Sequence, residues 1–251
     1  MREHNQTFTK NEITKSGAEE MDHTKNDVFL IIHGFGGGTY EIEYLVKHLQ
    51  EKGLDTYTVS LAGHGGTKKE LTASSHVDWI QSAGKAIDEL RLKYRNISLV
   101  GFSLGGLISV HFASLPEIRK IVFINTPIYF WNIKIILNDI ISGVYHREYE
   151  KIVYYQKSVS GVSIKSSADF LRILSQSKRM FKDISKPSLI LQCINDESVH
   201  YKSAEYIKEK IGNYADLHYY NGSCHQVFTV SVDLRDLVCD DIYKFLYQPQ
   251  S

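Results

Sequence analysis

The stretch Leu99-Val100-Gly101-Phe102-Ser103-Leu104-Gly105-Gly106 decides how the rest of the chain is organised. An apolar strand runs directly into a serine that has a glycine two residues before it and another two residues after it. This Gly-x-Ser-x-Gly pattern is typical of a tight turn between a strand and a helix, where a side chain at Gly101 or Gly105 would collide with neighbouring backbone. Such a turn lifts the Ser103 hydroxyl to the edge of a sheet. Because the pattern is short, it also fits a structural turn with an unreactive serine.

Length and composition indicate one globular domain of the larger kind, or one domain with an insert. The chain has 251 residues, of which 43% are hydrophobic and 23% charged, enough to bury a sizeable core. Its 29 basic and 29 acidic residues give a net charge of zero, which argues against a nucleic-acid binder. The 3 cysteines form no C-x-x-C pair and favour free thiols in a reducing compartment. With neither a secretory signal nor an apolar run of ~20 residues, the sequence predicts a cytoplasmic protein without stable membrane insertion.

Apolar runs alternate with amphipathic helical patterns along most of the chain. Strands are predicted at residues 28–32, 56–61, 97–102, 121–124, 188–193 and 217–220. Helical spacing lies between them, as in the long pattern at 76–94 and the closing one at 230–246. Strands without polar alternation are typical of a sheet that helices cover on both faces. We therefore predict an α/β fold with a mostly parallel central sheet flanked by helices.

The alternation breaks after Asn125. Roughly 60 residues separate it from the strand predicted at 188–193, whereas a crossover needs only about 12. The surplus predicts a small helical cap over residues 127–186, with residues 1–126 and 187–251 forming the core. An apolar, aromatic insert after a strand end lies where ligands bind in open α/β sheets, although most of its side chains are expected to hold it to the body.

Ser103 needs a base and an acid before it can act as a nucleophile. Each partner should follow a strand, on the same edge of the sheet as Ser103. Asp196 follows the strand predicted at 188–193, and His225 follows the last strand. We predict Ser103 as nucleophile, Asp196 as acid and His225 as base, with Glu197 as the alternative acid. The other histidines considered as base lie in glycine-rich loops or on helices (His33, His64, His111 and His200).

The glycine-rich loop 33–38 follows the first central strand, where a donor for the negative oxygen of acyl transfer should lie. We assign the backbone N–H groups of Phe35 and Leu104 as the two donors, each worth about 3 kcal/mol in the transition state. A phosphate-binding loop is the rival interpretation, but Thr39 stands where a dinucleotide fingerprint needs its third glycine, and no Gly-Lys-Ser/Thr occurs. No histidine or cysteine cluster has the spacing of a metal site. We therefore predict neither a metal nor a cofactor.

An ordered set of motifs resembles a known family. The motifs are His33-Gly34-Phe35-Gly36-Gly37, Gly63-His64-Gly65, Asp78-Trp79, Gly101-Phe102-Ser103-Leu104-Gly105-Gly106, Pro127-Ile128-Tyr129, Gln192 to Glu197 and Gly222 to His225. Over residues 27–248 the chain resembles small bacterial carboxylesterases of the α/β-hydrolase fold, with monoacylglycerol lipases as close relatives. The resemblance implies a triad of Ser103, Asp196 and His225. It also implies an oxyanion hole from Phe35 and Leu104, and a small helical cap over an acyl pocket.

The activity predicted from the sequence is that of a serine carboxylesterase. It would hydrolyse short- to medium-chain carboxylic esters, with monoacylglycerols among the candidates, through an acyl-enzyme on Ser103. The aromatic insert and the absence of a charged selectivity residue favour a small-molecule ester with an apolar acyl group as partner. A thioesterase, a serine peptidase and an acyltransferase use the same triad. From a different class, a non-catalytic hydrolase homologue that binds an apolar ligand is the remaining alternative.

Overall fold

The computed structural model describes residues 25–130, 163–222, 225–229 and 232–247. Within these ranges a sheet of six strands forms the centre of the molecule. The strands are β1 (Lys25–Ile32), β2 (Thr56–Val59), β3 (Tyr94–Phe102), β4 (Ile118–Ile124), β5 (Ser188–Cys193) and β6 (Ala215–Tyr220). Their order is β2-β1-β3-β4-β5-β6, and every neighbouring pair is parallel. The predicted α/β fold with a mostly parallel sheet is confirmed.

Helices of the described residues flank this sheet. They are α1 (Glu43–Glu51), α2 (Lys68–Ala73), α3 (His76–Leu90), α4 (Leu104–Val110), α5 (Ile164–Met180), α6 (Lys202–Ile211) and α7 (Val232–Tyr247), with short 3-10 turns at Thr39–Ile42, Phe181–Asp183 and Gly212–Tyr214. Helix α2 is not predicted from the apolar pattern, because so short a helix shows no clear apolar face. Its start does carry a local signal, since Thr67 and Glu70 form a capping box.

Alternate residues of the four inner strands, β1, β3, β4 and β5, pack into two cores, one on each face of the sheet. On β1, Leu30 and Ile32 belong to the first core, which includes side chains of α3, α4, α5 and α6. Phe29 and Ile31 belong to the second core, which includes side chains of α1 and α7. Successive side chains of a strand point to opposite faces, so helices on both faces bury most of the inner strands, which are apolar runs for this reason. The edge strands β2 and β6 keep exposed side chains, among them Tyr57 and Tyr219.

Helix α5, the last helix of the predicted cap, is fastened to the first core and to two neighbouring helices. Ile173 is fully buried in that core. The buried Asp169 carboxylate lies 2.8 Å from Nδ1 of His76 on α3. The Ser177 hydroxyl donates to the carbonyl of Leu107 on α4 at 2.9 Å. This end of the predicted cap is therefore held to the body by both apolar and polar contacts.

Most of the predicted cap lies outside the described residues. The gap covers residues 131–162, and the polar lead-in 1–24 is likewise outside, so the division into core and cap stays a prediction. Just before the gap, Phe130 forms an antiparallel bridge with Val199. No helix in the described part of the chain has both the length and the apolar character needed to cross a membrane.

Candidate active site

Ser103 occupies the turn between β3 and α4 in a strained backbone conformation. Its φ is 52° and its ψ is −114°, a region that residues with side chains seldom adopt. The two glycines of the pattern make room for this turn. A Cβ on Gly105 would lie 2.1 Å from the Ile32 carbonyl oxygen, and one on Gly101 would lie 2.4 Å from the Gly106 nitrogen. Both positions therefore exclude a side chain, for the steric reason inferred from the sequence.

The ring of His225 lies between the Ser103 hydroxyl and the Asp196 carboxylate, within hydrogen-bond distance of both. Nε2 of His225 lies 3.0 Å from Ser103 Oγ, and Nδ1 of the same ring lies 2.7 Å from Asp196 Oδ2. The Asp196 side chain is fully buried, and its Oδ1 accepts backbone N–H groups from Ser198 and Val199 at 2.8 Å each. These bonds hold the carboxylate so that Oδ2 faces the ring. The geometry keeps a proton on Nδ1 and leaves Nε2 free to accept the serine proton.

The backbone of His225 is held from two sides. Glu197 accepts its N–H at 2.9 Å, and Asn125 donates from its side-chain amide to its carbonyl at 3.0 Å. Glu197, the alternative acid, therefore bonds the backbone of His225, whereas Asp196 bonds the ring. Asn125 is not singled out by the sequence, although its place after β4 on the same sheet edge could have indicated it. Its side-chain oxygen also accepts the backbone N–H of Cys193, which links β4 to β5.

The electrostatic surroundings of His225 favour its charged form. Burial alone would lower the pKa of the ring, but the carboxylates of Asp196, Glu197 and Glu41 outweigh it, and the net effect raises the pKa above 6.5. Glu41 reaches this region through Gln226, whose side-chain amide donates to it at 2.7 Å. Neither Glu41 nor Gln226 is singled out by the sequence. An imidazolium that forms when the ring takes a proton is thus stabilised by three nearby carboxyl groups.

Hydrogen bonds of His33 hold the peptide between Gly34 and Phe35 in the loop of residues 33–38. His33 Nε2 accepts the N–H of Leu61 at 3.2 Å, so its proton is on Nδ1, which donates to the Gly34 carbonyl at 2.9 Å. Burial lowers the pKa of His33 to about 4, so the ring stays neutral. Because a peptide is planar and trans, fixing the Gly34 carbonyl turns the Phe35 N–H the opposite way. Within the described ranges no protein group accepts the N–H of Phe35 or Leu104.

Aromatic side chains gather beside this loop. The Phe35 ring centroid lies 4.9 Å from that of Phe170 on α5 and 5.5 Å from that of Trp79 on α3. Phe170 in turn lies 6.0 Å from Phe130, and His64 packs edge-on against Phe35 at 5.9 Å. This aromatic cluster places an apolar wall next to the backbone donor of Phe35.

A separate cleft of about 690 Å³ is lined in part by the Gly63-His64-Gly65 loop. It is lined by polar residues, among them His64, Glu70, Ser74, Asp78, Ser82 and Lys85. Much of that polarity belongs to the capping boxes that begin α2 and α3. The cleft does not include Ser103. Across the part of the chain that the structure describes, no group of three or more histidine, cysteine or acidic side chains could hold a metal ion.

Comparisons with known proteins find relatives that share the fold. The model of the α/β hydrolase fold family matches residues 27–141. The carboxylesterase of Bacillus subtilis (strain 168) is 26% identical over 227 residues, which cover 86% of this chain and 91% of that protein. A thermostable monoacylglycerol lipase of Bacillus sp. (strain H-257) is 28% identical over 115 residues, 45% of this chain and 46% of that protein. Among solved structures, a metagenome-derived lipolytic enzyme superposes with a TM-score of 0.74 at 22% identity, covering 88% of this chain and 94% of its own.

Proposed function

We propose that this chain, which has the α/β-hydrolase fold and is similar to a bacterial carboxylesterase and a monoacylglycerol lipase, is a serine carboxylesterase. The proposed substrates are short- to medium-chain carboxylic esters, with monoacylglycerols among the candidates. One observation carries the proposal: the hydrogen-bonded series from Ser103 Oγ through His225 to Asp196, at 3.0 and 2.7 Å. A serine hydroxyl in such a series is activated by a base whose orientation an acid fixes.

In the proposed acylation step, Ser103 Oγ attacks the ester carbonyl carbon while its proton passes to Nε2 of His225. Asp196 keeps the proton on Nδ1 and stabilises the imidazolium. The former carbonyl oxygen becomes negative and accepts hydrogen bonds from the N–H groups of Phe35 and Leu104. When this tetrahedral intermediate collapses, His225 gives its proton to the leaving alcohol, and the acyl group remains on Ser103.

Deacylation repeats these roles with water as nucleophile. His225 removes a proton from the water as its oxygen attacks the acyl carbon, and the same two N–H groups receive the second oxyanion. Collapse of this intermediate returns the proton from His225 to Ser103 and releases the carboxylic acid. Every proton that leaves one group in the cycle is returned, so the reaction consumes only the ester and water.

The aromatic cluster supports an apolar acyl group as the preferred substrate portion. Phe35 supplies the backbone donor and also packs its ring against Phe170 and Trp79. A carbonyl bound at the donor would have this apolar wall beside it, and burial of each methylene of an acyl chain contributes about 0.8 kcal/mol. Two relatives are named a carboxylesterase and a monoacylglycerol lipase, and these names support an ester as the substrate.

The experiment that tests the proposal is labelling with a fluorophosphonate followed by peptide mapping. We expect one adduct, on the peptide that contains Ser103, because only an activated serine reacts readily with this reagent. Ser103→Ala should remove both the label and the hydrolysis of a chromogenic short-chain ester, which should fall to near background while the circular dichroism spectrum is retained. Ser114→Ala changes an exposed serine shortly after α4 and serves as the matched control.

Two results would contradict the proposal. Label on a residue other than Ser103, or a Ser103→Ala protein that keeps most of its activity, would rule out the serine mechanism. A panel of esters of graded chain length, thioesters and amino-acid amides then fixes the substrate class. If thioesters or amides are turned over faster than esters, the assignment changes from a carboxylesterase to a thioesterase or a peptidase that uses the same triad.

The proposed location is the cytoplasm. Its support is the state of the cysteines, since Cys193 and Cys239 are both free and buried. Unpaired thiols are typical of proteins that work in a reducing compartment. Fractionation of cells that produce the chain, with the activity measured in each fraction, tests this location.

A further inference from the structure

We propose that Glu41 is a positioning residue that fixes the oxyanion loop and the base loop relative to each other. The oxyanion loop is defined here as residues 33–38, and the base loop as residues 225–229. The inference rests on the proposed serine esterase function, because it assigns Glu41 a role in that reaction. Glu41 does not touch the reacting atoms; it acts through Gly34 on one side and Gln226 on the other.

The carboxylate of Glu41 bridges the two loops. Glu41 lies in the 3-10 turn Thr39–Ile42 and is only 1% exposed. Its Oε2 accepts the backbone N–H of Gly34 at 3.0 Å, and its Oε1 accepts the side-chain N–H of Gln226 at 2.7 Å. Gln226 is the residue directly after His225. One buried side chain therefore connects the loop of the proposed oxyanion donor to the loop of the proposed base.

The oxyanion loop is shaped around this carboxylate. A Cβ on Gly37 would lie 2.1 Å from the Glu41 carboxyl carbon, and a Cβ on Gly34 would lie 3.1 Å from Oε2. The absence of side chains at these two glycines creates the niche that the carboxylate fills. Taking a carboxylate out of water is costly unless hydrogen bonds replace its hydration. The Glu41 carboxyl group is nevertheless buried between the two loops, and each of its oxygens bonds a different loop. This arrangement indicates that Glu41 does more than fill space.

The bond to Gly34 determines where the Phe35 N–H points. The N–H of Gly34 is fixed by Glu41, and its carbonyl is fixed by Nδ1 of His33. With both ends of Gly34 held, the peptide between Gly34 and Phe35 has little freedom to rotate. Since an oxyanion donor works only when it is aimed beforehand at the developing charge, loss of the Glu41 bond should slow the chemical step more than it weakens substrate binding.

The chain offers a conservative variant that keeps the bridge. The side-chain oxygen of Gln226 is buried and has no hydrogen-bond partner in the described part of the chain. In Glu41→Gln, the new amide oxygen would accept the Gly34 N–H. Its NH₂ group would donate to the Gln226 oxygen after the Gln226 amide turns over. Glu41→Leu has a similar size but can make neither bond.

The experiment compares these variants by two measurements. The first is the second-order rate of fluorophosphonate labelling at Ser103, and the second is kcat and KM for a chromogenic ester. We expect Glu41→Leu to lower the labelling rate and kcat by about 10- to 100-fold, with KM changed less than about threefold. Glu41→Gln should restore both rates to within about threefold of the parent chain. Glu43→Leu, at an exposed glutamate two residues along, is the matched control.

The outcomes distinguish a failure of the Glu41 positioning role from a failure of the esterase proposal. A folded Glu41→Leu that is labelled as fast as the parent chain would overturn the positioning role, and so would a Glu41→Gln as slow as Glu41→Leu. If Glu41→Leu does not fold, Gln226→Leu breaks the bridge from the other side. That variant should slow labelling by about 3- to 10-fold, and an unchanged rate would refute the bridge. A parent chain that is not labelled at Ser103 would instead refute the esterase proposal, and this inference with it.

Discussion

The carboxyl group of Glu41 should make the fold less stable as the pH rises through neutrality. Burial raises the pKa of Glu41 from 4.5 to about 7, although hydrogen bonds from Gln226 and Gly34 and the nearby His225 act in the opposite direction. Between these two values the folded chain keeps a proton on Glu41 and the unfolded chain does not. Stability therefore falls as the pH rises across this window and is fully recovered below it.

The size of the effect follows from the two pKa values. A shift from 4.5 to about 7 is about 2.5 pH units, and at 1.36 kcal/mol per unit it corresponds to roughly 3 kcal/mol. No reduction for solvent screening applies, because Glu41 is 1% exposed. From about pH 4.5 to pH 8, the free energy of unfolding of the parent chain should thus drop by roughly 3 kcal/mol more than that of Glu41→Gln, in which this group does not titrate.

Urea unfolding at a series of pH values, followed by tryptophan fluorescence, measures this difference, because Trp79, one of the two tryptophans, is fully buried in the folded chain. Comparison with Glu41→Gln cancels most contributions of other titrating groups. Glu43→Gln, which neutralises an exposed glutamate on α1, should follow the parent chain at every pH. If the parent chain and Glu41→Gln lose the same stability over this range, to within about 1 kcal/mol, Glu41 does not carry the raised pKa argued here.

Two further predictions concern the base and the nucleophile turn. The kcat/KM for ester hydrolysis should fall as the pH drops through a midpoint above 6.5, because nearby carboxylates raise the pKa of His225 despite its burial and only the neutral ring accepts the Ser103 proton. A pH–rate profile that stays flat down to about pH 4 would contradict this role of His225. Gly105→Ala should abolish activity and lower the free energy of unfolding by about 3 kcal/mol, since its Cβ would lie 2.1 Å from the Ile32 carbonyl oxygen. Gly84→Ala, on α3 with only ordinary contacts to Phe112, should unfold in urea at or slightly above the parent midpoint, and equal losses in both variants would refute the steric argument.

The sheet could be predicted from the sequence because its inner strands are buried on both faces. Each inner strand contains an apolar run, and this signal is contained within a few neighbouring positions. Helix α2 was missed because its six residues show no apolar face, while its capping box is a local signal that a search for helix starts would have found. Strands β1, β3 and β4 each begin three residues before the predicted start, and β3 thereby begins at Tyr94, the last residue of the predicted helix 76–94.

In the candidate site too, some residues could be predicted from the sequence and others could not. Ser103, Asp196 and His225 each follow a strand, so parallel topology alone places them on one edge, and the structure brings them within hydrogen-bond distance. The bonds of Asn125 to His225 and of Glu41 to Gln226 join segments far apart in the sequence. Gly34 and Gly37, whose missing side chains form the niche of the Glu41 carboxylate, lie close to it in the sequence, but a glycine-rich loop alone does not indicate which side chain fills it.

The segments that follow the proposed nucleophile and base pack on opposite faces of the sheet. Helix α4, which follows Ser103, packs Leu107 and Ile108 into the first core, whereas Val227 and Phe228, just after His225, are buried in the second. Phe102 joins the two sides, since it directly precedes Ser103, belongs to the second core, and has its ring 5.3 Å from that of His225. A change of packing in either core can therefore reach the one proton transfer that both of them surround.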